Sequence, residues 1–111
     1  MTNNTNTASD LTVSRTIAEQ IGNRAFFMMG AKDLMGDETS LTFRIGRNSR
    51  SVSHIKITLD CDDTYTVEFL RVRTSHKTYQ TTRTIVSSEP MVYAEDLHRI
   101  IESGTGLYLS L

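Results

Sequence analysis

The sequence has 111 residues and a formal net charge of −1, with charged and apolar fractions of 23% and 38% that are those of an ordinary folded protein. That length suits one domain with a single core and is too short for two, while the near-balanced charge argues against a dedicated nucleic-acid binder and against an acidic surface mimic. One cysteine, Cys61, leaves no internal disulfide, and no apolar run approaches the roughly 18 residues of a membrane span, so a cytoplasmic protein with a reduced thiol and no membrane contact is expected.

Met1 to Ser9 is mostly Thr and Asn with nothing to bury, which predicts a flexible tail ahead of a single domain over residues 10–111. Val13, Ile17 and Ile21 recur every four residues, the spacing of a short amphipathic helix that Thr12 or Ser14 can cap and Gly22 can end. Ala25 to Met29 is a continuous apolar run that periodicity alone cannot assign. The glycines on either side, Gly22 and Gly30, favour a buried strand there. Ala31 to Ser40 reads as a polar connection. Its acids, Asp33, Asp37 and Glu38, lack the spacing of a calcium loop.

Leu41, Phe43 and Ile45 alternate with Thr42 and Arg44, a half-buried strand ending at Gly46. Arg47 to Ser51 follows as a compact basic loop whose guanidinium groups suit phosphate or carboxylate contacts, with an ordinary solvated turn as the alternative. Ile55 to Arg73 is the clearest segment. Ile55, Ile57 and Leu59 alternate with polar residues, and Tyr65, Val67 and Phe69 do the same across the turn-forming Cys61-Asp62-Asp63. A three-residue loop sets Leu59 opposite Tyr65, Ile57 opposite Val67, Ile55 opposite Phe69 and, on the other face, Lys56 opposite Glu68.

Beyond Phe69 the pattern slips, because Leu70 and Val72 are apolar on the polar phase; either a bulge sits there or both faces are covered. Residues 74–77 read as a turn and Thr78 to Val86 as a strand near the sheet edge, open to pairing with a second copy. Pro90 is expected to break the chain. Tyr93 to Ser103 reads as a helix with Tyr93, Leu97, Ile100 and Ile101 on one face, acids in its first turn and Gly104 stopping it. Leu107, Leu109 and Leu111 alternate as if the chain ended inside the sheet.

Charge is uneven along the chain: net −2 up to Phe43, +4 from Arg44 to Arg83, and −3 thereafter. The candidate binding residues are Arg44, Arg47, Arg50, Lys56, Glu68, Arg71, Arg73 and the aromatic Tyr79, on one sheet face and its adjoining loops. Were they to share a surface it would be positive, although the interleaved acids favour a mixed one. Catalytic patterns find little support in the sequence. His54, His76 and His98 are scattered and distant in sequence from Cys61, one cysteine cannot build structural zinc, and Gly104-Thr105-Gly106 lacks the strand-to-helix setting of a dinucleotide site. No cofactor and no enzymatic activity are expected.

The segments FFMMGAKDL, LTFRIGRN, IKITLDCDDTYTVEFLRVR, VYAEDL and TGLYLSL, in this order, resemble a group of small, largely uncharacterised proteins and domains of bacteriophages and integrating mobile elements. The resemblance covers Phe26 to Leu111. Its motifs are core and turn signatures with no catalytic residues to carry over. It implies the cytoplasm of a bacterial host and a role in binding host or phage machinery, inhibition of a host defence complex included. The expected fold is α+β: an antiparallel sheet of four to six strands with an N-terminal and a C-terminal helix packed on it. The expected function is a non-enzymatic protein-binding module, with a modest nucleic-acid binder using the same basic residues as the alternative.

Overall fold

A computed structural model describes residues 11–109; the expected tail and Leu111 lie outside them. Two helices, α1 (Thr12–Ile21) and α2 (Asn23–Met29), precede strands β1 (Lys32–Gly36), β2 (Ser40–Arg44), β3 (His54–Leu59), β4 (Tyr65–Thr74) and β5 (Thr81–Val92). A short 3-10 turn over Ala94–Asp96 then leads into α3 (Leu97–Thr105). The strands form one antiparallel sheet in the order β1-β2-β3-β4-β5, giving the expected α+β fold.

The β3–β4 hairpin has the register set by its alternation: Leu59 faces Tyr65, Ile57 faces Val67, Ile55 faces Phe69 and Lys56 faces Glu68. Asp63 takes the left-handed φ of 65° that closes the loop, and the Asp62 carboxylate accepts from the Thr64 amide and hydroxyl at 3.2 and 2.6 Å. Lys56 and Glu68 do not close to an ion pair within 4.0 Å. Ordering two long solvated side chains would gain little there.

All helices among the described residues lie on one side of the sheet. Ile17, Ile21, Ala25, Met29, Leu97 and Ile101 bury their side chains against Leu41, Phe43, Ile55, Ile57, Val67 and Phe69. Phe26 adds an edge-to-face contact with Phe43 at 5.2 Å between ring centroids, a geometry favoured by the ring quadrupoles.

Several expectations are corrected. Ala25 to Met29 is helical rather than a strand: Ala25 and Met29 are buried one turn apart while Phe27 is 84% exposed. The flanking glycines are helix ends. Gly30 adopts φ 66°, ψ 37°, and the amides of Gly30 and Ala31 return to the carbonyls of Phe27 and Phe26 at 3.1 and 2.9 Å, satisfying the last turn in a Schellman arrangement. The hydroxyls of Thr12 and Ser14 do not cap α1; Ser14 donates to the Leu11 carbonyl at 3.0 Å and is buried against Gly36, where a Cβ would stand 2.7 Å from that of Ser14.

The connection drawn over Ala31 to Ser40 contains β1, an edge strand exposed throughout. The β4–β5 turn spans Ser75 to Gln80, and β5 runs six residues past Val86, through Pro90. Proline is tolerated because β5 is an outer strand whose register shifts between Glu89 and Val92. A second shift does sit opposite Phe69 and Leu70, but the extra residue is Val86 of β5; β4 keeps its period against β3. Tyr93 is exposed ahead of α3, and the helix passes through Gly104 to end at Gly106 in the left-handed region. Residues 107–109 form no strand. They fold back along α3, where the Glu102 carboxylate accepts the Leu109 amide at 2.9 Å.

Candidate functional site

The side of the sheet away from the helices is uncovered by any described element. Residues paired across it share that face: Arg44, His54, Leu70 and Ile85 in one row, and Met35, Thr42, Lys56, Glu68 and Ser88 in the next. Val72 and Arg83 pair beyond them. The apolar members form the floor and sides of a groove of about 330 Å³, in which Leu70 and Val72 lie between Met35 and Thr42 on one side and Thr81 and Arg83 on the other, with His54 and Lys56 completing it. Leu70 is only 2% exposed although it points away from the helices.

His54 sits at the centre of this face. Its Nδ1 lies 2.9 Å from the Ser53 hydroxyl, which also accepts the Val72 amide at 2.8 Å. Burial holds the imidazole below the usual histidine range, and the Arg44 and Arg83 cations push it further the same way. The ring is therefore neutral at neutral pH, and the fixed charge of the face comes from the cations Lys32, Arg44, Lys56 and Arg83 with the Glu68 carboxylate among them.

The candidate residues divide between two sides and a tip. Arg44, Lys56 and Glu68 belong to the open face. Arg71 and Arg73 alternate onto the opposite side, at the end of β4 that outruns β3. Arg71 is engaged: its Nε donates to the Ser51 carbonyl at 3.1 Å and its Nη2 to the Arg50 carbonyl at 3.3 Å. Tyr79 stands at the tip of the β4–β5 hairpin, 81% exposed. Arg47 and Arg50 lie in the loop between β2 and β3, which folds around Asn48. The Asn48 amide donates to the carbonyls of Gly46 and Val52 at 2.9 and 2.7 Å, and its oxygen accepts from the amides of Arg50 and Val52.

This loop and Arg73 enclose a second hollow of about 480 Å³, lined by Arg44, Arg47 and Arg73 together with Asn48, Ser51 and Ser53. Among the described residues, no aspartate or glutamate lines it. Comparison with family models, curated proteins and solved structures yields no match. Function therefore rests on the chain's own geometry.

Among the described residues, no three of His, Cys, Asp and Glu converge as metal ligands, and no helix is long and apolar enough to cross a membrane. Cys61 is exposed in its turn. Met35, His54, Leu70, Val72, Thr81 and Arg83 line the groove yet were not among the residues that charge singled out. The available signal was the apolar Leu70 and Val72 on the polar phase of β4.

Proposed function

We propose that the chain is a non-enzymatic protein-binding module that docks its partner on the open face of the sheet. The observation that carries this reading is the Leu70 groove, an apolar floor on the open face, with Lys56 and Arg83 on its walls and Arg44 in the same cross-strand row as Leu70. An interface core of this kind desolvates an apolar anchor while charges at the rim select the partner. The rim is cationic and His54 is neutral, so the complementary partner presents an aliphatic or aromatic side chain flanked by carboxylates. The resemblance to phage and mobile-element proteins supplies the setting: a host protein complex, a defence complex among them, as the target.

Nucleic acid is the weaker reading. Phosphate tracking calls for a continuous cationic strip, whereas these cations are divided between the two sides of the sheet and Arg71 is held by loop carbonyls. The test compares wild type with Met35→Asp/Ile85→Asp as bait in host lysate, with and without nuclease. A protein complex retained after nuclease by wild type and lost by the equally stable variant supports the reading. Equal retention by both, or recovery of nucleic acid alone, overturns it.

A further inference from the structure

We infer that the hollow between the β2–β3 loop and the projecting end of β4 is a binding site for a small phosphate-bearing ligand carrying two or more negative charges. Its lining is different from that of the Leu70 groove, and Arg44, in the cross-strand row of Leu70, stands between the two. Arg44 arrives at the end of β2, Arg47 from the loop that follows, and Arg73 from the part of β4 that extends past β3. Three arginines thus line one hollow, Arg44 from the open-face side and Arg73 from the opposite side of the sheet, and among the described residues no carboxylate lines it. Among the described residues, the ion pair that forms within 4.0 Å joins Arg99 of α3 to Asp96 of the preceding 3-10 turn, so none of the three arginines is ion-paired to a described residue.

The wall that carries them is built in advance. Asn48 uses both amide hydrogens and its oxygen within the loop, Arg71 clamps the Arg50 and Ser51 carbonyls from below, and the Ser53 amide joins the loop to the Leu70 carbonyl at 2.8 Å. A ligand entering the hollow therefore does not have to order the loop, which lowers the entropic cost of binding. The contrast between Arg71 and its neighbour two residues on is informative. One guanidinium is committed to backbone carbonyls; the other is exposed at the hollow.

Guanidinium forks match pairs of phosphate oxygens, and three of them offset more charge than a single carboxylate carries. The volume is in the range of small-molecule sites. A polynucleotide is disfavoured because the other cations do not continue the site as a track: Lys56 and Arg83 lie in the open-face groove, and Arg50 lines a different hollow beside Gly104.

The test is titration of the full chain with pyrophosphate at constant ionic strength, followed by backbone amide NMR. Saturable shifts confined to residues 44–53 and 71–74 are expected. Arg47→Ala/Arg73→Ala should weaken the apparent affinity at least about tenfold, the scale of one lost charge-assisted hydrogen bond, while Arg50→Ala leaves it within about twofold. Nucleoside diphosphate and sugar phosphate, titrated in parallel, distinguish the organic part of the ligand. Shifts that follow ionic strength alone, or that persist in the double variant, overturn the site. Affinity for an oligonucleotide that rises with its length, with no saturable response to pyrophosphate, replaces the small ligand with a polymer.

Discussion

Gly104 of α3 lies flat against the ring of Phe69 on β4, so close that a Cβ at position 104 would stand 2.6 Å from Cε1 and nearer still to Cζ. Two effects compete in Gly104→Ala. Helix propensity alone would gain about 1 kcal/mol, but overpacking a buried ring costs about 1–3 kcal/mol, and Phe69 is held on the sheet by both neighbouring strands. Net destabilisation is expected in urea unfolding. Adding Phe69→Leu should recover part of the loss as a non-additive coupling; a stabilised Gly104→Ala would show that α3 can lift away without cost.

Acid should weaken the fold through His54. Burial first, then the Arg44 and Arg83 cations, keep its folded-state pKa below the ordinary value of about 6.5. The unfolded chain therefore binds the proton at higher pH than the folded one, so this residue contributes nothing above pH 7 and costs stability as pH falls through 6.5 to the folded pKa. Urea midpoints between pH 7.5 and 5 should fall less for His54→Gln than for wild type. An NMR titration midpoint for His54 at or above 6.5 would contradict the assignment.

Asn48 organises the β2–β3 loop through groups that a carboxylate cannot replace. In Asn48→Asp, the two donors to the Gly46 and Val52 carbonyls become acceptors facing acceptors. A cost of about 2–3 kcal/mol follows from two lost hydrogen bonds at a half-buried site. Amide exchange should speed up across residues 45–53 first, and an unchanged loop would mean that Arg71 alone holds it.

The open face contains two kinds of apolar residue, and substitution should separate them. Met35 and Ile85 are 68% and 57% exposed, so replacing either by aspartate should change stability by no more than about 0.5 kcal/mol. Leu70→Ala, on the same face but buried, should cost about 2–3 kcal/mol. Thermal melts of the three variants check this directly.

What could be read in advance depended on whether a residue's surroundings repeat along the chain. Ile55 through Phe69 alternate, and a three-residue loop fixes their parity, so every cross-strand pair followed. Ala25 to Met29 has no period to read, and its helical character rests on which of five apolar residues are turned to solvent. β1 buries nothing along its length; its place is set by pairing with β2 and by the close approach of Ser14 to Gly36, neither of which leaves a local pattern. Leu70 and Val72 registered as a break in phase, whereas they are the second apolar surface of an unbroken strand. The Arg47–Arg50 loop was visible as a basic cluster, but the arrival of Arg73 beside it depends on β4 outrunning β3.

Each strand of the sheet pairs with its immediate successor in the chain, and this has a consequence for the order of assembly. No crossover has to close before hydrogen bonding begins, so the sheet can zip outward in both directions from the Asp60–Thr64 reversal, with a short chain closure at every step. The sequence-distant unions that remain belong to the helices, as when the His98 ring donates to the Ile21 carbonyl at 2.7 Å across 77 residues. Those contacts between α3 and α1 close the longest loops in the described chain, so the two helices are expected to dock after the sheet has formed.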